Sequence, residues 1–317
     1  MSLAFELLLC LMIIGTAAAA LLIRDALGAI VFFIVFGNLL GLAWLSIGAA
    51  NVALAEIAIG AGVTGILLIL ARARLKALGD GLDFPATAVW LRLAAATICT
   101  GLAVLLAAAV LSLEPADKLG DRVAALLPDL GIENPVTGVL LAFRAYDTLL
   151  ETFALLGALV AVWSLAPAGA RSRMPASLAI RDAAARTVAS VFGRVLLPIA
   201  LVMAVYVVWT GSDLPGGAFQ GGTVLAGGLL LAALGGAVAL PRIDDVRLRV
   251  VIVAGPAVFL AVGFGGIALG RFLAYPEGFE KFLIVTIEYF LALSIGVTLA
   301  LLVAGRPVAP ARSDRED

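Results

Sequence analysis

The chain has no histidine and only two cysteines, and Asp, Glu, Lys and Arg together make up just 14% of its 317 residues. Each shortage removes a class of protein. Cys10 and Cys99 sit in separate apolar stretches without CxxC or CxxxC spacing, so with histidine absent no metal or redox centre is indicated; both are expected to be buried thiols. So low a charged fraction, with a mean hydropathy of +1.15, lies outside the range of soluble globular domains. A net charge of −1 provides no concentrated basic surface for nucleic acid. No long strand-like alternation appears, which argues against a membrane barrel. The first apolar run lacks a basic n-region and leads into a second, so it reads as a retained helix and not a cleaved signal.

What is present is hydrocarbon-compatible sequence: 63% of residues are hydrophobic. The runs divide into nine segments long enough to cross a ~30 Å apolar core: roughly 3–22, 26–48, 50–71, 91–113, 136–165, 192–211, 220–240, 249–270 and 281–304. The fold class expected is an all-α integral membrane protein, a bundle of about nine transmembrane helices in contact with the lipid bilayer. Basic residues orient it. With the N-terminus outside, the inner segments collect Arg24, Arg72, Arg74, Lys76, Arg92, Arg171, Arg173, Arg181, Arg186, Arg194, Arg242, Arg247, Arg249, Arg306, Arg312 and Arg315. The outer segments receive Lys118, Arg122, Arg271 and Lys281, and Arg144 falls within a span. The bias predicts N-out, C-in.

Between the sixth and seventh runs lies the most informative segment, Gly211-Ser-Asp-Leu-Pro-Gly-Gly-Ala-Phe-Gln-Gly-Gly222. Gly216, Gly217, Gly221 and Gly222 permit positive φ and close backbone approach, Pro215 stiffens the entry, and Gln220 can both donate and accept. Without a Walker lysine or a strand–helix context, phosphate binding is a poor reading. A re-entrant or broken-helix segment lining a polar cavity fits better, with subunit contact the competing reading. The string, Phe219 included, resembles the GHxxPGGGFQGG signature of the B subunit of Mrp-type multisubunit cation/proton antiporters and its counterpart in membrane-bound hydrogenases. Ser212 stands where that signature has histidine and Ala218 where it has a third glycine.

Two further stretches carry resemblances. Ile47 to Gly62, IGAANVALAEIAIGAG, is similar to a domain at the end of the large Mrp A subunit that is also the separate D-type component of membrane-bound hydrogenases; Asn51 and Ala55 replace its aspartate and threonine. Asn134 to Thr152, NPVTGVLLAFRAYDTLLET, resembles the adjoining E-type domain. The modules expected are a D-type three-helix unit at 1–84, an E-type two-helix unit at 85–170, a cytoplasmic amphipathic linker at 171–191 and a B-type four-helix unit with a short tail at 192–317. The resemblance places the first two where complex I has its J-type subunit.

Charge inside a bilayer is costly, so intramembrane acids are candidate functional groups. Glu56 has no basic neighbour on its own helix, and low-dielectric burial favours a neutral, proton-exchanging carboxyl. Gly60, four residues on, shares its face, and with Gly62 and Gly65 allows either close helix approach or a local π-bulge. Arg144, Asp147 and Glu151 follow at i, i+3 and i+7 on one face, and one arginine cannot neutralise both acids. Glu288 lies about two turns from Lys281, too far along its helix for pairing. Each acid reads either as a relay in an ion or proton pathway or as a packing contact.

The resemblance implies a non-enzymatic membrane subunit of an Mrp-like cation (Na+)/proton antiporter or related complex I-type assembly, in a bacterial or archaeal cytoplasmic membrane. Its implied partners are antiporter-like large subunits and small C-, E-, F- and G-type subunits, and it implies no cofactor. The alternative is a non-conducting scaffold joining antiporter-like modules to a redox or other energy-converting partner. An autonomous carrier is disfavoured, because the modules match subunits and not an inverted repeat.

Overall fold

The computed structural model describes residues 3–77, 88–113, 119–166 and 182–305, and within them the structure is helical. In chain order come α1 (Leu3–Leu22), α2 (Ala26–Ser46) and α3 (Ala50–Ala55), which runs through a π-helical stretch, Glu56–Val63, into α4 (Thr64–Ala77). Then follow α5 (Val89–Leu111), α6 (Leu119–Leu126), a 3₁₀ turn at Pro128–Leu130, α7 (Pro135–Gly138), a second π-helical stretch at Val139–Phe143, and α8 (Ala145–Ser164). The last four are α9 (Ala183–Thr210), α10 (Ala218–Leu234), α11 (Val246–Ile267) and α12 (Glu280–Ala304).

Eight helices among the described residues are long and apolar enough to cross a membrane, with Ala50–Lys76 counting as one. The chain is therefore a multi-pass helical membrane protein. The ninth expected crossing is α10, whose 17 residues reach only about 25 Å at ~1.5 Å per residue. Helix starts are written locally: Asp25, Asp182 and Asp245 accept from the backbone N–H of Gly28, Ala184 and Arg247, capping α2, α9 and α11.

Glycine sets the packing of the C-terminal four helices. Gly221, Gly228 and Gly235 recur every seven residues along one face of α10 and its end. A Cβ at Gly221 would fall 2.9 Å from the Ala204 carbonyl oxygen, and at Gly228 2.6 Å from the Ala200 Cβ, so α9 lies in van der Waals contact with the α10 backbone. The adjacent face meets α12, with Gly222 against the Ala292 carbonyl and Gly296 against that of Gly222. Inside α11, Pro256 leaves the Ile252 carbonyl without its helical donor, and the Ser294 hydroxyl of α12 donates to it. The N-terminal helices pack the same way: Gly37 and Gly41 of α2 receive Ala61 and Ile57 of the π-helical stretch.

Several expectations change. The fifth run is broken at Arg144, whose φ of −130° and ψ of 35° interrupt the helix. Residues 183–191 of the expected surface linker form the first turns of α9, because Asp182 caps that helix. Cys10 and Cys99 are exposed and not buried, since α1 packs mainly on α2 and α5 buries no residue within the chain. Parts of the polar insert (78–83), the outer loop (114–118), the linker (171–181) and the tail from 306 lie outside the described residues.

Candidate functional site

The glycine-rich segment is a tight turn that folds back on the helix it leaves. The Gly217 N–H donates to the Val207 carbonyl at 3.1 Å, and a Cβ at Gly216 would collide with that same oxygen. Gly217 has φ 125° and ψ −174°, a conformation that L side chains rarely adopt. The chain therefore descends about one helical turn before α10 begins at Ala218, which explains the short α10: its N-terminus is sunk beside the last turn of α9.

A sunken helix start needs partners for its free N–H groups. Asn51, at the start of α3, accepts from the Gly216 N–H at 2.9 Å through Oδ1, and its backbone carbonyl accepts from Gln220 Nε2 at 3.3 Å. Glu288 of α12, only 4% exposed, sits with the Ala218 N–H beside its carboxyl. A Cβ at Gly217 would lie 3.0 Å from Glu288 Oε1 and 3.4 Å from Gln220 Oε1. Glu288 Oε2 is buried without a hydrogen-bond partner among the described residues.

Asn134 ties a third segment to the same place. Its Nδ2 donates to the carbonyls of Gly211 and Leu214 at 2.8 and 2.9 Å, and its Oδ1 accepts from Asn51 Nδ2 and from the Val136 N–H, both at 3.1 Å. Thr137 donates to the Gly211 carbonyl at 2.6 Å. At the rim, Lys281 Nζ lies 2.8 Å from both oxygens of Asp213, and Ser212 donates to Asp213 at 2.9 Å. Burial raises the Asp213 carboxyl, but the hydrogen bonds from Lys281 and Ser212 prevail and hold it below the ordinary carboxylate range. Three stretches distant in sequence thus close on one another at one end of the bundle, the end assigned outside by the basic residues. Asp25 and Arg72 pair at 3.6 Å at the other.

The structure gathers Glu288, Pro215, Gly216, Gly217, Phe219, Gln220, Gly221 and Gly222 into this region and places the remaining candidates elsewhere. Glu56 is the first residue of the π-helical stretch; its carboxyl lies over Gly60, where a Cβ would be 2.6 Å from Oε1. Both readings of the glycines are observed: the stretch is π-helical, with Thr64 Oγ1 donating to the Ile59 carbonyl five residues back, and Gly65 lies against Ile34 of α2. Gly62 sits within the same stretch. Arg144 and Asp147 form the expected pair at 2.5 Å, but both are exposed, and Glu151 is exposed without an ion-pair partner among the described residues. Carbonyls ahead of the break at Arg144 are satisfied from near and far: Thr148 donates to that of Leu140 at 2.7 Å and Tyr275 to that of Leu141 at 2.5 Å.

Sequence reasoning assigned no role to Asn51, Asn134 or Tyr275. For Asn134 a signal existed, since Asn before Pro at a helix start is a capping pattern. Nothing local announces that Asn51 and Tyr275 bond across the bundle.

Residues 188–306 match the model of a domain related to the MnhB subunit of Na+/H+ antiporter, and residues 11–77 match the model of MbhD, the D-type component of MBH. No curated protein sequence matches the chain. Among solved structures, a chain of the Mrp complex from Dietzia sp. DQ12-45-1b aligns with a TM-score of 0.72 at 23% identity, covering 98% of this chain and 35% of its own length. A chain of the membrane-bound sulfane sulfur reductase (MBS), an archaeal respiratory membrane complex, aligns with a TM-score of 0.55 at 21% identity, over 68% of this chain and 97% of its own. The present chain thus spans about a third of the Mrp chain it superposes on, and at these identities the likeness is one of fold.

Proposed function

From a chain that joins an MbhD-type domain at 11–77 to an MnhB-type domain at 188–306, we propose a membrane subunit of a cation/proton antiporter-type assembly that contributes buried acids to an ion pathway. The observation that carries this reading is Glu288: a carboxyl enclosed by the chain's own helices, with one oxygen unpartnered among the described residues, against a sunken helix start. Burying such a group without pairing it costs stability, so a purely structural role would be better filled by an apolar side chain. Glu56, on a π-helical stretch, and the exposed set Arg144, Asp147 and Glu151 supply further stations. A pathway running through the latter is completed by a neighbouring subunit. In this reading the region between the two matched domains is an E-type unit, the partners are antiporter-like large subunits and small C-, E-, F- and G-type subunits, and the setting is a bacterial or archaeal cytoplasmic membrane. The protein makes and breaks no covalent bond itself.

The scaffold alternative has one observation in its favour, the Asn51–Asn134 clasp, which joins distant segments whether or not ions pass. Glu288→Gln separates the two. It keeps size and hydrogen-bonding capacity but cannot titrate, so the complex should assemble normally and lose cation-coupled proton movement. Normal assembly with wild-type transport establishes the scaffold.

A further inference from the structure

Glu288 is enclosed unequally on its two sides. Toward the basic end, α12 presents Leu291 and Ile295, 0% and 2% exposed, and the Gly222–Gly296 contact leaves α10 and α12 backbone to backbone. Toward the other end the wall includes the amide side chains of Asn51 and Gln220. A cleft of about 250 Å³ opens there, lined in part by Asn51, Val52, Asn134, Leu214 and Pro215. Asn51 is both cleft wall and hydrogen-bond partner of Gly216 and Gln220. Those residues flank Gly217, against which the Glu288 carboxyl rests. One layer, made of Gly216, Gly217 and Gln220, therefore lies between the Asn51 wall of the cleft and the Glu288 carboxyl, whose Oε1 faces Gly217.

We propose that Glu288 is a proton-exchange site opening only to the outer face, loaded through the cleft between Asn51 and Pro215, with Gln220 as the positioning residue at its throat. This rests on the reading of the chain as a pathway subunit and adds to it the side of access and the species exchanged. The exchange is a simple transfer: a hydronium ion in the cleft passes a proton to the Glu288 carboxylate and is left as water, and on release a water takes that proton back as hydronium, so the carboxyl is neutral when loaded and charged when empty.

The donor set favours a proton. Glu288 brings a single carboxylate, and the described residues hold no cluster of three acid, cysteine or histidine side chains. No fixed charge blocks the cycle. From the packed elements, α10 carries no ionisable residue; Arg186 and Arg194 of α9 and Arg247 and Arg249 of α11 lie toward the basic end. Tyr206 of α9 and Asp147 and Glu151 of α8 are exposed, and Tyr289 donates to the Val205 carbonyl. Lys281, on the same helix, is engaged by Asp213, and Glu56 lies over Gly60. The cleft side also draws its wall from both matched domains, so the site is complete only in the joined chain.

The test uses the assembled complex in oriented vesicles. Infrared difference spectra follow carboxyl bands after a pH step on one side, with the Glu288 band identified by its loss in Glu288→Gln. We expect that band to follow a step on the outer side and ignore one on the inner side. Leu214→Cys at the exposed cleft mouth, in a Cys10→Ser, Cys99→Ser background, should abolish the response once capped by a bulky thiol reagent. A response to the inner step, a response that capping leaves untouched, or no band lost in Glu288→Gln overturns the proposal. Transport is read separately. A band that follows outer pH, in a complex whose Glu288→Gln variant still transports at the wild-type rate, leaves the access standing and removes the pathway role.

Discussion

Two of the helices that carry acids within the membrane, α8 and α12, treat them in opposite ways. In α12, 72% of the apolar window is buried inside the chain, and Glu288 lies among Ile284, Ile287 and Leu291, none of them solvent-accessible. In α8 only 28% of the window is buried; Ala145, Thr148, Leu149, Thr152 and Leu159 face inward, while Asp147 and Glu151 face out with Arg144. The cost of Glu288 is therefore borne entirely within this fold, and its access is set by this chain. The cost of the α8 charges falls on whatever covers that face, because hydrocarbon cannot solvate them. Identical residue types thus teach different things: one acid reports on an internal site, the other pair on an interface.

The contrast can be broken first at the sunken helix start. Gly217→Val forces a β-branched residue into a glycine-only conformation against Glu288 Oε1, and a lowered thermal midpoint of the purified chain, corresponding to ~1–3 kcal/mol or more, is expected. Asn134→Ala comes next. It leaves the Leu214 carbonyl without its donor and the Gly211 carbonyl with Thr137 alone, at about 1–3 kcal/mol, and the same melt should register it. On α8 the ordering reverses between chain and complex. Asp147→Asn, at an exposed pair, should move the chain's own midpoint by no more than ~0.5 kcal/mol, yet reduce recovery of the assembled complex on size-exclusion chromatography; unchanged recovery would show that no partner covers this face.

The smallest effect is expected at the rim. Lys281→Met removes an exposed partner of Asp213, worth ~0.2–1 kcal/mol. Its sign has a pH signature. The Asp213 carboxyl is held below its ordinary range in the folded state, so the pair contributes above the unfolded carboxylate pKa and is lost as pH falls through the lowered folded value. Melts of wild type and Lys281→Met should converge in acid and separate near neutrality.

How much of this was legible beforehand follows from the range of the forces involved. Hydropathy over twenty-residue windows located the crossings, since the bilayer imposes that length on any helix. The GSDLPGGAFQGG string marked its turn because glycine and proline act locally. Glu288 and Glu151 could not be told apart, since each is an acid in an apolar helix and only the neighbours of that helix differ. Hydropathy also ranks α5 and α12 together, at 2.3 and 2.1, although one buries nothing in the chain and the other most of itself. A better signal lay unused in the spacing: Gly221, Gly228 and Gly235, seven residues apart, mark a face that another helix fills. The break at Arg144 was invisible, because it depends on Tyr275 reaching a carbonyl 134 residues away in sequence.

The central claim is that Glu288 is kept for what it exchanges and not for what it holds together, and Glu288→Met tests it most directly. Methionine fills a similar volume without leaving a buried, unpartnered oxygen. Thermal midpoint and proton flux are measured on the same assembled preparation. The account predicts flux lost with a midpoint within ~1 kcal/mol of wild type, the size of the lost Ala218 N–H bond; a midpoint lowered well beyond that with flux retained contradicts it.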